Sequence, residues 1–183
     1  MNGISRRALC QALGIGAAGA PAFLQSAVVL AADTDKVTIG WPIDVPSWDP
    51  QQRTIPDAQP IYKLVFDQPL DQAPDLSLRP KLVMAWDLAP DARTLTLDFR
   101  DDVKFHDGTK MTSADFKYSF FDRVQAGHKI DIAQIWGGVT GVDLPSPTRA
   151  VMHFKMPFAT SPQWLSFLCS YVVPKDYMEK VGQ

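Results

Sequence analysis

Residues 94–116 read TLTLDFRDDVKFHDGTKMTSADF and carry the clearest structural pattern in the chain. Leu95, Leu97 and Phe99 alternate with polar residues, which predicts a strand that buries one face. A charged turn follows, and residues 103–105 then form a second, shorter strand. The segment therefore predicts two successive strands.

A helix is predicted directly after the second strand. The turn His-Asp-Gly at 106–108 closes that strand, because glycine readily adopts the positive φ that such a turn needs. Thr112 has the position of a helix N-cap, with Asp115 at the third helical position. The helix then runs to about Ala126 and ends at Gly127. Its core stripe consists of apolar residues that recur every four positions, Phe116, Phe120 and Val124.

The rest of the chain from residue 36 alternates short strands with short helices. Further strands are predicted at 36–41, 81–88, 139–144, 149–154 and 171–173, with a turn at 145–148 and helices at 57–67, after Ser161-Pro162 and from Asp176. The first of these helices would place Ile61, Leu64 and Val65 on one face, and residues 70–80 read as a polar connection. Fifteen prolines indicate many turns rather than a helical bundle.

Composition and charge are those of an ordinary globular protein. Hydrophobic residues make up 46% of the chain and charged residues 21%. The net charge is −2, and without Arg6 and Arg7 the 18 basic residues fall to 16 against 20 acidic ones, or −4. No basic patch of the kind that binds nucleic acid is visible, so a nucleic-acid partner is not expected.

Residues 1–32 read as an export signal peptide that is separate from the folded protein. Arg6 and Arg7 are its only charged residues, and the stretch that follows is rich in alanine and glycine. Paired arginines before a weakly apolar core resemble the twin-arginine export signal, with an ordinary Sec leader as the alternative. Small residues at Ala31 and Ala32 suit signal peptidase, which predicts a mature chain over 33–183 in the periplasm.

No catalytic or metal-binding constellation is visible in the sequence. His106 beside Asp107 could form a catalytic or metal pair, but adjacent residues rarely point at one target and no nucleophile lies at an informative spacing. His128 and His153 are isolated, and no histidine–cysteine cluster has the spacing of metal ligands. Cys169 is predicted to be a buried thiol that acts as a small hydrophobe. We therefore expect no enzyme activity, no cofactor and no metal.

Residues 97–109 resemble a segment of the family 5 bacterial extracellular solute-binding proteins, the oligopeptide-, dipeptide- and nickel-binding group. The family pattern there is a strand, an arginine-centred turn, Val-Lys-Phe-His-Asp-Gly and then Thr-Ala-Asp at the start of a helix; the likeness continues to Phe120 and Arg123. The resemblance covers essentially all of 36–183, with weaker matches in the family's order at 48–50, 80–86, 156–158 and 173–177. It implies an α/β fold of mixed α+β character, of the periplasmic binding protein type II.

The resemblance also implies a function. Members of the family capture a peptide or similar small solute in the periplasm, as monomers, for transport by an ABC permease in the inner membrane. In them the loop after the first strand reaches toward the ligand cleft, and that loop corresponds here to Asp44, Val45, Pro46, Ser47 and Trp48. Ser47 and Trp48 would give hydrogen-bonding and apolar contacts, unless Trp48 only packs the loop.

Members of this family are much longer than 183 residues and close two lobes around the ligand. The chain is therefore expected to hold only part of the first lobe, with a small inserted subdomain at about 60–155. The alternatives to an importer component are a non-functional fragment of one, a module that presents ligand to a sensor, and an exported enzyme. Genomic adjacency to permease and ATPase genes would separate the importer component from the sensor module.

Overall fold

The chain from residue 41 onward consists of short strands and helices joined by tight turns. The computed structural model describes residues 38–53, 55–127 and 129–181. Its strands are β1 (Leu70–Gln72), β2 (Leu78–Pro80), β3 (Val83–Leu88), β4 (Thr94–Phe99), β5 (Val139–Ser146) and β6 (Arg149–Phe154). Its helices are a 3-10 turn at Pro56–Ala58, α1 (Gln59–Tyr62), α2 (the successive segments Ser113–Lys117, Tyr118–Asp122 and Arg123–Gln125), α3 (Ala133–Trp136), α4 (Ser161–Trp164) and α5 (Lys175–Val181). None of these described helices has the length and apolar character needed to cross a bilayer.

A four-stranded antiparallel sheet with the strand order β3-β4-β6-β5 forms the centre of the fold. The strand predicted from the alternating pattern is β4, and its Leu95, Leu97 and Phe99 are buried as expected. The strands predicted at 81–88, 139–144 and 149–154 are also present, as β3, β5 and β6. The second strand predicted at 103–105 is wrong, because this segment contributes only an isolated bridge between Lys104 and Lys110. Because β4 pairs with both β3 and β6, its apolar face lies at the middle of the core.

The connection between β5 and β6 is tighter than predicted. β5 continues through Ser146, so the turn consists of residues 147–148 alone and Pro145 lies inside the strand. A proline is tolerated there because β5 is an outer strand whose register shifts between Asp143 and Ser146.

Helix α2 begins and ends as predicted. The Thr112 amide donates to Asp115 Oδ2 at 2.9 Å and the Thr112 hydroxyl accepts the Ala114 amide at 3.3 Å, which makes a capping box. Gly127 follows the last turn with a φ of +74°, a conformation that glycine adopts without strain.

The middle of α2 is wider than a regular α-helix. Tyr118–Asp122 form a π turn, and the Arg123 amide donates to the Tyr118 carbonyl five residues earlier. This turn holds one residue more than a regular turn. Because of the extra residue, positions spaced four apart stay on the same face of α2. Phe116, Phe120 and Val124 accordingly all pack in the main core.

A row of aromatic rings connects α2 with the sheet and with α3. Phe116, Phe120 and Trp136 in this row have no exposed surface. Neighbouring ring pairs in contact typically contribute about 0.5–1.5 kcal/mol beyond the area that they bury. The centroid separations are 5.1 Å for Phe99–Phe116, 4.6 Å for Phe116–Phe120, 5.3 Å for Phe120–Trp136, 5.8 Å for Trp136–Phe158 and 5.4 Å for Phe154–Phe158.

The helix predicted at 57–67 is wrong in length and in its buried face. Helical structure ends at Tyr62, because the amides of residues 65 and 66 both donate to the Tyr62 carbonyl and close a turn. Ala58, Gln59 and Tyr62 are the buried residues, whereas Leu64 is 83% exposed. The buried face is set by ring packing of Tyr62 on Tyr171, a contact across more than 100 residues.

Three further predictions differ from the structure. Residues 38–41, the described part of the strand predicted at 36–41, form no strand. The supposed polar connection at 70–80 contains the hairpin β1–β2. Residues 171–173 form no strand, because the Val172 amide donates to the Asp67 carbonyl and the Val173 amide to Ser119 Oγ.

Candidate ligand-binding loop

The loop predicted to reach the ligand, residues 44–48, is here called the Trp48 loop. Asp44 and Pro46 are exposed, and Asp44 Oδ1 accepts the Val45 amide at 2.7 Å. Val45 packs against a small buried aromatic cluster. Trp48 is 61% exposed, so the apolar packing of the loop comes from Val45 rather than from Trp48.

A buried ion pair anchors the chain directly after Trp48. Arg123 Nη2 lies 2.5 Å from Asp49 Oδ2, and Arg123 Nη1 lies 3.2 Å from Asp49 Oδ1. The two side chains are only 2% and 5% exposed. Burying a charge is costly unless it is paired with good geometry, and this two-pronged contact supplies such a pairing. The ion pair therefore joins the Trp48 loop to the last turn of α2.

Gln51 extends this contact to two further segments. Its Oε1 accepts a hydrogen bond from Arg123 Nη1 at 2.6 Å. Its Nε2 donates to the carbonyls of Ser119 at 3.1 Å and Tyr171 at 2.8 Å. Its amide donates to Asp49 Oδ1 at 3.1 Å, so the loop, α2 and the segment before α5 meet in one hydrogen-bonded network.

The backbone of the Trp48 loop is held by similar contacts. The Asp49 amide donates to Ser47 Oγ at 3.1 Å, and the Tyr62 hydroxyl donates to the Ser47 carbonyl at 2.5 Å. Burial raises the pKa of Tyr62, so this hydroxyl keeps its proton at neutral pH and remains a donor. The segment on both sides of Trp48 is therefore fixed while its indole faces outward.

Ser47 and Trp48 lie at the rim of a cavity of about 610 Å³. Its other walls come from the turn after α1, from the segment that follows β4, from residues 172–174 and from α5. The volume is within the range of about 300–1,000 Å³ that is usual for small-molecule sites. The apolar side chains of the lining are Val65, Phe66, Leu82, Val103, Phe105, Met111, Val172, Val173, Tyr177, Met178 and Val181.

Asp49 and Arg123 were not recognised from the sequence as a pair. Each was noticed only as part of a family motif. The available signal was the position of Arg123 seven residues after Phe116, which in a regular helix is on the apolar face and would require a partner. The sequence does not indicate which of the 20 acidic residues that partner is, because the two members are 74 residues apart.

Residues 77–182 match the sequence model described as bacterial extracellular solute-binding proteins, family 5 Middle, over more than half of the chain. The chain belongs to this family. The resemblance indicated by residues 97–109 is thereby confirmed. The family is one of solute-binding proteins.

Two curated relatives are similar in sequence to this family 5 chain. The nickel-binding periplasmic protein of Escherichia coli (strain K12) is 34% identical over 83 residues, which is 45% of this chain and 16% of the relative. A probable peptide ABC transporter periplasmic-binding protein of Sinorhizobium fredii (strain NBRC 101917 / NGR234) is 28% identical over 167 residues, which is 90% of this chain and 30% of the relative. This chain therefore spans less than a third of the length of either relative.

Solved structures are similar to it in fold. NikZ from Campylobacter jejuni, in complex with Ni(L-His), has a TM-score of 0.58 and 25% identity, covering 63% of this chain and 23% of that one. MoaA from A. tumefaciens R10, in complex with mannopinic acid, has a TM-score of 0.68 and 19% identity, and the match covers 76% of this chain and 29% of MoaA. The likeness confirms the α/β fold of the periplasmic binding protein type II.

His106 and Asp107 lie on an exposed turn at the edge of the cavity. Asp107 Oδ1 accepts the Thr109 amide at 2.9 Å and the Thr109 hydroxyl at 2.6 Å, and these hydrogen bonds lower the pKa of the Asp107 carboxyl. Gly108 has a φ of +86°, as the turn chemistry predicted. The described residues contain no cluster of three or more histidine, cysteine, aspartate or glutamate side chains that could hold a metal.

Two further sequence predictions concern Cys169 and the export signal. Cys169 is fully buried as predicted, and burial raises its pKa to about 12, so the thiol stays protonated. The export-signal residues Arg6, Arg7, Ala31 and Ala32 lie outside the described part of the chain.

Proposed function

We propose that this chain forms part of the periplasmic substrate-binding component of an ABC importer and takes part in binding a peptide or similar small solute. The observation that carries the proposal is the placement of Trp48, an exposed indole at the rim of an apolar cavity. Its loop is anchored by the buried Asp49–Arg123 pair, so the ring is presented from a fixed backbone. A rigid aromatic group beside an apolar cavity suits the apolar part of a small ligand.

The relatives support this class of ligand. The E. coli relative is named for nickel binding and the S. fredii relative for peptides. The solved structures similar in fold hold Ni(L-His) and mannopinic acid. An ABC permease is the proposed partner, and a monomer is the proposed form of the binding component.

A chimera tests the contribution of Trp48. Residues 33–183 would replace the matching segment of a full-length, peptide-binding family 5 protein. We expect saturable peptide binding that Trp48→Ala weakens by about tenfold or more, since a truncated aromatic contact at a binding site commonly costs more than 1 kcal/mol. Isothermal titration calorimetry would measure the affinity.

Trp41→Ala is the matched control in the same chimera. Trp41 is also exposed, and its Nε1 donates to the Asp57 carbonyl at 2.8 Å, away from the cavity lining. Its removal should leave the affinity unchanged. Equal affinity of the Trp48→Ala chimera and the parent chimera would contradict the proposed ligand contact.

We also propose that residues 1–32 direct the protein to the periplasm by the twin-arginine route and are cleaved after Ala31 or Ala32. Replacement of Arg6 and Arg7 by lysine is then expected to block export and to leave uncleaved precursor inside the cell. Cell fractionation, with N-terminal sequencing of the periplasmic protein, measures both effects. A Lys variant at Arg79 and Arg93 serves as control, and unchanged export of the Arg6/Arg7 variant would favour the Sec route.

A further inference from the structure

Stability alone does not explain why the Asp49–Arg123 pair is a buried ion pair. Replacing a buried ion pair by well-packed apolar side chains of similar volume is often neutral or stabilising, because the desolvation of two charges offsets much of their attraction. Both partners here are almost completely buried, so this desolvation is nearly complete. What apolar side chains cannot supply is direction, since two parallel hydrogen bonds fix the plane and position of the Asp49 carboxylate.

Hydrogen bonds of Asp49 also fix the backbone on both sides of Trp48. Asp49 Oδ1 accepts the Gln51 amide, and the Asp49 amide donates to Ser47 Oγ. Fixed points therefore lie on both sides of Trp48, whose indole is mostly exposed.

The π turn in α2 places Arg123 where it can make this contact. In a regular helix Arg123, seven residues after Phe116, would be on the same face as Phe116 and would enter the aromatic row. The extra residue of the π turn rotates Arg123 away from that face by about 100° and brings Val124 onto it. Arg123 is thereby directed at Asp49 and Gln51 while the apolar stripe stays in the core.

We propose that Arg123 is a positioning residue, which acts through Asp49 to fix the orientation of the Trp48 loop at the rim of the cavity. The functional meaning of this proposal rests on the proposed ligand contact of Trp48. Its test requires no ligand, so failure of the proposed function and failure of this inference are distinguishable.

The test compares a buried and an exposed ion pair in the full chain. The first variant, Asp49→Leu/Arg123→Met, replaces the buried pair by apolar side chains. The control, Asp98→Leu/Arg149→Met, makes the same replacement in an exposed two-pronged pair between β4 and β6, with distances of 2.6 and 2.9 Å. Amide hydrogen exchange, expressed as protection factors, is measured for residues 47–51 and for β4. Within 47–51 the amides of Ser47, Trp48 and Asp49 decide the result, because Pro50 has no amide hydrogen and the Gln51 amide loses its Asp49 acceptor in the first variant.

We expect protection at 47–51 to fall at least about tenfold in the Asp49/Arg123 variant, while β4 keeps its protection. The control should leave both regions unchanged. Unchanged protection at 47–51 in a folded Asp49/Arg123 variant would overturn the proposal, because the loop would then be held without Arg123.

A second variant decides the matter if the double variant does not fold. Arg123→Lys keeps the charge but loses the planar fork that contacts both carboxylate oxygens and Gln51. Faster exchange at 47–51 with unchanged exchange in β4 supports positioning by Arg123. If the Arg123→Lys variant exchanges at the same rate as the unchanged protein in both regions, a buried positive charge is sufficient to hold the loop. That result would overturn the proposal.

Discussion

Residues 33–183 on their own are expected to bind peptides at least about 100-fold more weakly than the same residues within a complete two-lobed family 5 protein. High-affinity sites enclose roughly 70–90% of a small ligand's surface. If the proposed function is right, the Trp48 loop and the cavity beside it supply one wall of such an enclosure. Much of the entropic cost of capturing the ligand remains when the contacts from the second lobe are absent.

Calorimetric titration of a peptide pool into residues 33–183 and into the chimera would measure this difference. Limited proteolysis in parallel would show whether the middle of the chain, about residues 60–155, resists cleavage as a folded unit. Binding by a monodisperse monomer of residues 33–183 with an affinity within about tenfold of that of the chimera would contradict the prediction. It would mean that this part of a family 5 protein is a sufficient receptor.

Phe120→Ala is expected to destabilise the protein by about 3–5 kcal/mol, a large fraction of the stability of an ordinary domain. Phe120 is fully buried in the middle of the aromatic row, 4.6 Å from the Phe116 ring and 5.3 Å from the Trp136 indole. Its removal leaves a cavity between α2 and α3 and breaks the row at its centre. Urea denaturation followed by circular dichroism would measure the loss.

Phe167→Ala provides the matched control for Phe120. The Phe167 side chain is 46% exposed and has one aromatic neighbour, Trp164, at 5.7 Å. Its truncation should cost less than about 1 kcal/mol. Similar costs for the two substitutions would show that the aromatic row does not stabilise the fold.

The four strands of the central sheet and the helix cap were predictable because their signals are local. In β4 the alternation places Leu95, Leu97 and Phe99 on the same face of the strand, which is the face that is buried. The capping box requires two residues three positions apart, Thr112 and Asp115. Such patterns need no knowledge of the remainder of the chain.

The errors occurred where distant contacts determine local structure. The helix at 57–67 was predicted from the spacing of Ile61, Leu64 and Val65, but packing of Tyr62 on Tyr171 selects a different face. Tertiary packing of this kind overrides a weak amphipathic pattern in a short segment.

The candidate site shows the same division between local and distant information. The Trp48 loop was located only by resemblance to a family. Its anchor was not found, because Asp49 and Arg123 are far apart in sequence. The sequence contains a faint signal of the π turn in the apolar stripe of α2. In a regular helix, apolar residues spaced strictly four apart move around the axis by about 40° at each step, so a wider turn is needed to keep them on one face.

The irregular pairing of β3 and β5 has a consequence for self-association. Within the described residues these two strands flank the sheet, and each shifts register: β3 between Val83 and Ala85, β5 at two places, the second spanning Pro145. A straight row of unpaired amides and carbonyls would be a template for intermolecular β-pairing, whereas bulges and proline interrupt it. Both free margins of the sheet are thus poor templates for amyloid-like growth.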